Sequence, residues 1–405
     1  MLIKLSKFFY LLIIIYYGWF QVVFFQIPNM LLLLGAGMIS FIFLHALKTN
    51  DKIFKHITIE LKLWIAFAFF LFVSGVMVAT NYGYLFKALT TYIEYLVLIY
   101  GIIYISNQDK SIDFFIKVLL LFAFLCAITT LFWGIDVGNG RISMGLEDNP
   151  NSLGITMAIG VCCILFQLNI KKLLFSIVSF TAIFFLTYIA LLTGSRKSFI
   201  SIIIMIIFWL FFVMYQDLKK ISFNEKIKGI FILLFALVIG CYVLYPYLKD
   251  SLLFLRLTKF SQDEGDIVRG KMYREAFDFF MKSPLVGIGF NNFRALSIFR
   301  TYSHSTYAEA LSCVGIIGSL LYFIPYITIF KQYLKMLSNI KIEISLLKEA
   351  KIMLGLFGIL LFLGIGIIHF YEIQSNVAFG MLIAFYNINR KDKNNIHNSL
   401  SYREI

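Results

Sequence analysis

The chain has 405 residues, of which 60% are hydrophobic and 14% are charged, with 45 phenylalanines and 23 tyrosines. Soluble domains are about 45–50% apolar and about 25% charged, so this composition excludes an ordinary soluble enzyme and predicts a membrane protein. The formal net charge is +14, but most lysines fall in short clusters between apolar segments, which argues against a nucleic-acid partner. The five cysteines lie in apolar segments and are predicted to be buried hydrophobic residues.

About twelve apolar segments are long enough to cross a bilayer, which requires about 20 helical residues. We predict crossings near 8–26, 29–47, 63–80, 85–105, 112–134, 152–169, 173–193, 198–216, 228–248, 306–330, 350–369 and 371–388. The first follows Lys4 and Lys7 but has no small-residue cleavage site, so we interpret it as an uncleaved anchor. The sequence therefore predicts an all-α polytopic membrane protein that forms one integral membrane domain over residues 1–405.

Lysine and arginine concentrate in alternate loops, and in bacterial membranes such loops face the cytoplasm. With that alternation, both termini and a tail at 389–405 are predicted to be cytoplasmic. The opposite side has few basic residues in its short loops, which are Lys87, Arg141, Arg196 and Lys197. The long loop 249–305 between the ninth and tenth crossings is basic, yet the rule applies to short loops, so we place it outside the cytoplasm.

Within this loop, the sequence DIVRGKMYREAFDFFMKSP predicts an amphipathic helix from about Asp266 to Lys282, because apolar residues recur at helical spacing. Lys271–Glu275 and Arg274–Asp278 are spaced to form ion pairs on that helix. For Arg269, a ligand-binding role and an ion pair with Asp266 are equal alternatives. The following GIGFNNF, residues 287–293, predicts a turn in which glycine permits positive φ.

Two groups of polar residues lie at the predicted outer face. In LLTGSRKSFI, Arg196 and Lys197 occupy a very short connection, where they either extend toward lipid headgroups or form an anion site. His304 lies where the basic loop re-enters the membrane, close to Glu309, so it is either a general base or a hydrogen-bonded interfacial residue.

Three further residues bear on the interpretation of the crossings. His369 is predicted to be a packed, hydrogen-bonded histidine, whereas Glu94 in the fourth crossing is notable because intramembrane carboxylates are costly and usually functional. Gly315 and Gly318 are predicted to let the tenth crossing pack closely against its neighbours.

No motif of a serine hydrolase, zinc peptidase or clustered metal site is present in the sequence. We therefore predict neither a metal nor a cofactor.

Several stretches resemble the O-antigen ligase and O-antigen polymerase superfamily. They are LLTGSRKSF, VRGKMYREAFDFFMKSPLVGIGFNNF and SHSTYAEALSCVGIIGSLLYF, preceded by RISMGLEDNPNSLG at 141–154. Together they cover roughly residues 141–325, and the twelve crossings with one long loop are consistent with the same superfamily.

The resemblance implies a glycosyltransferase at the outer face of the bacterial cytoplasmic membrane. Its donor would be an oligosaccharide on undecaprenyl diphosphate, delivered by a flippase, with a chain-length regulator as a further partner. By this resemblance Arg196 and Arg269 would bind the diphosphate and His304 would be the catalytic base. Arg141, Arg274 and Glu309 are weaker candidates for the same site.

Three functions are left open. The chain is a polymerase that joins lipid-linked repeat units into O-antigen or capsular polysaccharide, or a ligase that transfers the glycan to the lipid A core. A transporter of lipid-linked sugars is the alternative from another class, and it predicts charged or broken helices near the midplane in both halves.

Overall fold

The computed structural model describes residues 1–20, 24, 27, 30–138, 140–145, 149–168, 172–214, 242, 253–254, 264–338 and 343–401. Within these residues the protein is a bundle of helices with one short antiparallel hairpin, in which β1 (Ile135–Asp136) pairs with β2 (Ile142–Ser143). In chain order the helices are α1 (Leu2–Ile15), α2 (Met30–Thr49), α3 (Ile59–Val78), α4 (Tyr82–Asp109), α5 (Asp113–Trp133), α6 (Pro150–Gln167), α7 (Leu173–Leu192), α8 (Arg196–Phe208), α9 (Glu264–Lys282), α10 (Phe293–Leu296), α11 (Thr306–Leu337), α12 (Ile344–Leu363) and α13 (Ile373–Ser401). Short π-helical segments follow α1 at Tyr16–Phe20 and α8 at Trp209–Met214, and 3₁₀ turns occupy Ile53–His56 and His369–Tyr371.

Eight helical segments of the described chain are long and apolar enough to cross a membrane. They are α2 to α7, α8 with its π-helical extension, and α11. Helices suit this setting because they satisfy every backbone hydrogen bond within one segment. The segments agree with the predicted crossings two to eight and ten, so the prediction of an all-α polytopic membrane protein holds for them.

The remaining predicted crossings differ in outcome. The first begins earlier than predicted, because α1 starts at Leu2, whereas 228–248 lies outside the described residues except for position 242. The eleventh was predicted to reach residue 369, and this is wrong because α12 ends at Leu363. At the twelfth predicted crossing the helix extends beyond residue 388, since α13 continues to Ser401 through most of the predicted tail.

Helix α6 lies at the centre of one half of the bundle, where it packs against α5, α7, α8 and α12. Its glycines let these helices approach closely. A Cβ atom added at Gly160 would lie 2.7 Å from Ala123 Cβ, and one at Gly154 would lie 2.6 Å from Ser198 Oγ. The second contact brings the start of α8, which carries Arg196, directly against α6.

Helix α11 is broken at Gly315, whose backbone angles are φ 62° and ψ −164°. The loop after α9 fills the break with four backbone hydrogen bonds. The amides of Ile316 and Ile317 donate to the carbonyls of Pro284 (2.8 Å) and Leu285 (3.2 Å), and those of Ile288 and Gly289 donate to Ser312 (2.9 Å) and Cys313 (2.9 Å). We call residues 284–289 and the break at Gly315 the backbone junction.

Glycines are required on both sides of the backbone junction. Gly287 and Gly289 have φ of 72° and 101°, which confirms the predicted glycine turn. A Cβ at Gly287 would lie 2.3 Å from the Cys313 carbonyl carbon, and one at Gly315 would lie 2.5 Å from that of Leu285. The sequence-based interpretation of Gly315 as a packing residue was therefore incomplete, whereas Gly318 does allow close approach of Phe70, 2.7 Å from an added Cβ.

Gly315→Ala should destabilise the protein strongly, because the substitution forces a Cβ into a backbone contact at angles that suit only glycine. Strain and overpacking together should cost at least about 3 kcal/mol, visible as a large fall in the Tm of the detergent-purified protein. Gly358→Ala is the matched control, since a Cβ there meets no atom within 4 Å. Equal Tm values for the two variants would contradict the importance of the backbone junction.

Candidate active site

A cavity of about 760 Å³ opens at one end of the bundle. Its wall combines the start of α6, the start of α8, the first turns of α9 and the segment that follows α12. The lining residues are Asn151, Ile155, Ser195, Arg196, Lys197, Ser198, Ile200, Asp266, Ile267, Arg269, Gly270, Tyr273, Phe362, Leu363, Ile365, Gly366 and Ile367. The cavity therefore joins parts of the chain that are separated by up to 216 positions, from Asn151 to Ile367.

Arg196 is the first residue of α8 and is 7% exposed. It follows a tight turn in which Gly194 adopts a φ of 61° and the Ser195 amide donates to Thr193 Oγ1 over 3.2 Å. A helix start carries unpaired N–H groups and a partial positive charge. The guanidinium adds a full charge at the same point, so this corner of the cavity is suited to an anion.

Arg269 reaches the same corner from α9. Its Nη1 lies 3.4 Å from Oδ1 of Asp266, while Nη2 of Arg196 donates to Oδ2 of Asp266 over 2.5 Å. Arg269 therefore forms the ion pair with Asp266 and also lines the cavity, so the ion pair does not remove it from the candidate site. The two arginines predicted to bind one ligand do lie side by side.

Lys197, which shares the short connection and the same two alternatives with Arg196, adds a third cation. A Cβ added at Gly366 would lie 2.7 Å from Lys197 Nζ, so the lysine extends along the segment after α12. Among the described lining residues the cationic side chains are thus Arg196, Lys197 and Arg269, and Asp266 is the acidic one. The surplus of positive charge favours a polyanionic ligand.

His304 lies just before α11, at a φ of 59°. Its ring packs on Tyr302, with ring centroids 4.5 Å apart, and its buried Nδ1 has no hydrogen-bond partner among the described residues. Burial, followed by the positive charges of Arg269, Lys197 and Arg141, lowers the pKa of His304 to about 4. The imidazole is therefore neutral at pH 7 and able to accept a proton, and it lies within the electrostatic reach of the cavity's cations.

The three weaker candidates have different positions. Arg141 does not line the cavity; its Nε donates to the Thr193 carbonyl over 2.9 Å, and its Nη2 donates to Asn151 Oδ1 over 2.9 Å. It thereby holds the turn before Arg196 against α6. Glu309 is fully buried, and its Oε2 accepts from the Ser303 amide over 2.8 Å. Glu309 thus fixes the segment that carries His304.

Arg274 is exposed on α9 and does not line the cavity. The predicted ion pairs Lys271–Glu275 and Arg274–Asp278 are absent from the described part of α9. Glu275 instead accepts from Ser297 Oγ over 2.6 Å and from the Ile298 amide over 3.0 Å. An exposed ion pair stabilises a fold only slightly, so Glu275 loses little free energy by accepting these two hydrogen bonds and not pairing with Lys271.

The segment 364–372 contributes groups that were not predicted, since the sequence placed it mostly inside a crossing. The Thr306 amide donates to the carbonyls of Gly364 and Ile367, each over 2.8 Å, and Tyr273 OH donates to the Ile365 carbonyl over 2.9 Å. This segment therefore connects α9, α11 and α12 around the cavity. The apolar residues and two glycines of this segment predict a helix that continues to residue 369, and no local sequence signal indicated the turn.

Glu372 forms a second polar group at the same end. Its Oε2 accepts from Ser152 Oγ over 2.5 Å and from Gln374 Nε2 over 2.8 Å. The pKa of Tyr302 is raised to about 12 by burial and then by the charge of Glu372. Because the Tyr302 ring packs on His304, Glu372 belongs to the surroundings of His304. Glu372 was missed because it stands alone at the start of the predicted crossing at 371–388.

His369 is confirmed as a packed histidine. It is 1% exposed, with Nδ1 2.9 Å from Ser375 Oγ and Nε2 2.6 Å from the Leu360 carbonyl. Glu94 lies in the middle of α4 and outside the cavity lining. Within the described chain, His, Cys, Asp and Glu residues do not cluster in threes in a way that could hold a metal ion.

Fold and site together define a multi-pass membrane protein with a cation-lined cavity at one end of its bundle. Residues 180–323, which are 144 of the 405, match the protein family described as O-antigen ligase. This match confirms the resemblance to the O-antigen ligase and polymerase superfamily over that segment. Arg196, Arg269 and His304 lie inside the matched segment, whereas Arg141 lies outside it. No curated protein matches the chain significantly.

Acidification should destabilise the fold through His304. Its pKa is about 4 in the folded protein and about 6.5 in an unfolded chain, so the unfolded state binds more protons between these values. Stability should therefore fall as pH decreases from 6.5 toward 4, by on the order of 1–2 kcal/mol at pH 5.

The measurement is the Tm of wild type and His304→Gln at pH 7 and pH 5. The variant should lose less stability than wild type, because glutamine does not titrate. Identical losses in the two proteins would show that His304 is not held neutral by its surroundings.

Proposed function

We propose that the cavity binds the diphosphate of an undecaprenyl-diphosphate-linked oligosaccharide and that the protein transfers this glycan to a hydroxyl acceptor. The observation that carries the proposal is the combination of three cations in a largely apolar cavity with a neutral, half-buried histidine that lies outside the lining but within their field. Guanidinium groups donate paired hydrogen bonds to phosphate oxygens. A neutral imidazole is the form that can remove a proton.

The reaction needs stabilisation of a leaving group more than it needs a new nucleophile. The bond between the anomeric carbon and the phosphate oxygen breaks, and its electron pair remains on the diphosphate. Fixed cations in a partly dehydrated site stabilise that growing charge strongly. Arg196 and Arg269 would do so from the start of α8 and the second turn of α9, and Lys197, whose side chain lies beside Gly366, would add a third charge.

The acceptor oxygen forms the new glycosidic bond and passes its proton to His304. A histidine whose pKa is about 4 is a weak base, but the bound donor places two negative charges among the cations that lower this pKa. We expect the pKa of His304 to rise toward its ordinary value in the donor complex. The base would thus strengthen only when the donor is in place.

The cavity walls suit a lipid-linked donor. Ile155, Ile200 and Ile367 line the cavity beside the cations, so apolar and charged groups meet at one end of the bundle. The diphosphate would lie near the headgroup plane, with its prenyl chain among the helices. We place this end at the outer face of the bacterial cytoplasmic membrane, with both termini in the cytoplasm and a flippase supplying the donor.

A lipid-linked repeat unit is the acceptor we favour, which would make the protein a polymerase of O-antigen or capsular polysaccharide. The chain is rich in Ile, Lys, Phe and Asn, and nothing in it requires a cell that makes lipid A. Ligation to the lipid A core is the second candidate, favoured by the match to the family described as O-antigen ligase. A transporter is less well supported, because the break at Gly315 is closed by backbone hydrogen bonds to residues 284–289.

Purified protein in proteoliposomes should extend a lipid-linked repeat unit supplied alone, giving a ladder of products on a gel. Growth without any other acceptor follows from the polymerase proposal, because donor and acceptor are then the same molecule. Transfer that occurs only after addition of lipid A core would identify a ligase. No transfer with either acceptor would contradict the proposed glycosyl transfer.

Binding and chemistry should separate between the proposed groups. His304→Ala should reduce turnover by more than about a hundredfold, as expected for loss of a general base, while the Kd for the donor stays near that of wild type. Arg196→Ala and Arg269→Ala should each raise this Kd by about tenfold or more, since each removes a charged hydrogen bond. Arg274→Ala is the matched control on the exposed face of α9 and should change neither quantity.

A further inference from the structure

Asp266 occupies the position between the two arginines where an anionic ligand would bind. One carboxylate oxygen accepts from Arg196 Nη2 over 2.5 Å, and the other lies 3.4 Å from Arg269 Nη1. The side chain of Asp266 is 30% exposed and lines the cavity. A carboxylate with one oxygen toward each guanidinium therefore already presents the geometry of a bridging phosphate.

The Asp266 carboxylate offsets the electrostatic cost of placing two arginines at one cavity. Two guanidinium groups facing one cavity repel each other, and burial at the start of α8 increases the cost of the Arg196 charge. Asp266 offsets both effects and holds the two side chains in fixed orientations. Because Asp266 lies in the first turn of α9 and its side chain is 30% exposed, the carboxylate is accessible to exchange with a ligand.

We propose that Asp266 is a displaceable counter-ion, which pairs with Arg196 and Arg269 until the donor's diphosphate takes its place. The proposal rests on the proposed function, since it requires a diphosphate ligand. A diphosphate diester carries two negative charges on four non-bridging oxygens, whereas the carboxylate carries one charge on two. The lipid ligand can therefore make more charged hydrogen bonds to the same two guanidinium groups.

The charges change in a favourable direction during transfer. With Asp266 paired, the described lining residues carry three positive charges and one negative, a net charge that balances the two negative charges of the donor. Cleavage leaves a diphosphate monoester with a third negative charge, while the acceptor's proton passes to His304. Because the donor has already displaced Asp266, all three cations face this product. The return of the Asp266 carboxylate would then help to expel the undecaprenyl diphosphate.

The test is the equilibrium affinity of the purified full-length protein for undecaprenyl diphosphate. Asp266→Asn keeps the size of the side chain and removes the competing charge, so it should bind about five- to tenfold more tightly than wild type. Asp266→Glu keeps the charge and should bind like wild type. Asp278→Asn is the matched control, since it removes the same charge from the exposed face of the same helix.

The result that overturns the proposal is equal or weaker binding by Asp266→Asn, because Asp266 would then support the arginines without competing with the ligand. Asp266→Ser gives the same comparison with a second uncharged side chain if the asparagine variant does not fold. Failure of the proposed function looks different, since wild type itself would then not bind undecaprenyl diphosphate. Product inhibition by undecaprenyl diphosphate should also be stronger in Asp266→Asn, a change that a merely structural role would not produce.

Discussion

The exchange of backbone hydrogen bonds at the backbone junction is the interaction on which the rest of the site depends. In an apolar surrounding, unpaired amides and carbonyls are too costly to leave in a broken helix. The break in α11 at Gly315 is therefore possible only because residues 284–289 supply the missing partners. That loop follows α9 directly, so the helix carrying Asp266 and Arg269 is fixed relative to the helix that His304 precedes.

A second set of connections fixes the other side of the cavity. Thr306 at the start of α11 binds the carbonyls of Gly364 and Ile367, and Arg141 holds the turn before Arg196 against α6. These contacts bring three cations to one cavity, with Asp266 as the acidic residue of the described lining. Their mutual repulsion is the electrostatic cost of the site, and Asp266 reduces it. A bound polyanion would relieve this repulsion, which is why we propose a functional role for the cation cluster.

Much of this could be predicted from the sequence. Long apolar segments predict crossings directly, because length and composition decide whether a helix can span a bilayer. Arg196 and Lys197 were noticeable because two cations in a very short connection are unexpected there, and Arg269 had both a partner and a possible ligand. The observed pairing of Arg269 with Asp266 places a structural ion pair inside the cavity that we propose as a ligand site.

Other features depended on long-range contacts that no local pattern reveals. Gly366 and Ile367 line the cavity because Thr306 binds their segment, although their own sequence predicts a helix. Glu275 leaves its expected partner Lys271 for Ser297, which lies 22 positions away. The role of Gly315 could not be seen either, since the loop that meets its backbone is far from it in sequence.

The most direct test of the diphosphate site is a cryo-EM map of the protein in nanodiscs with undecaprenyl diphosphate. We predict diphosphate density between the guanidinium groups of Arg196 and Arg269, within reach of Lys197, with the Asp266 carboxylate moved out of that position. Lipid diphosphate bound elsewhere on the bundle, with the pairs from Asp266 to both arginines intact, would contradict this assignment of the cavity.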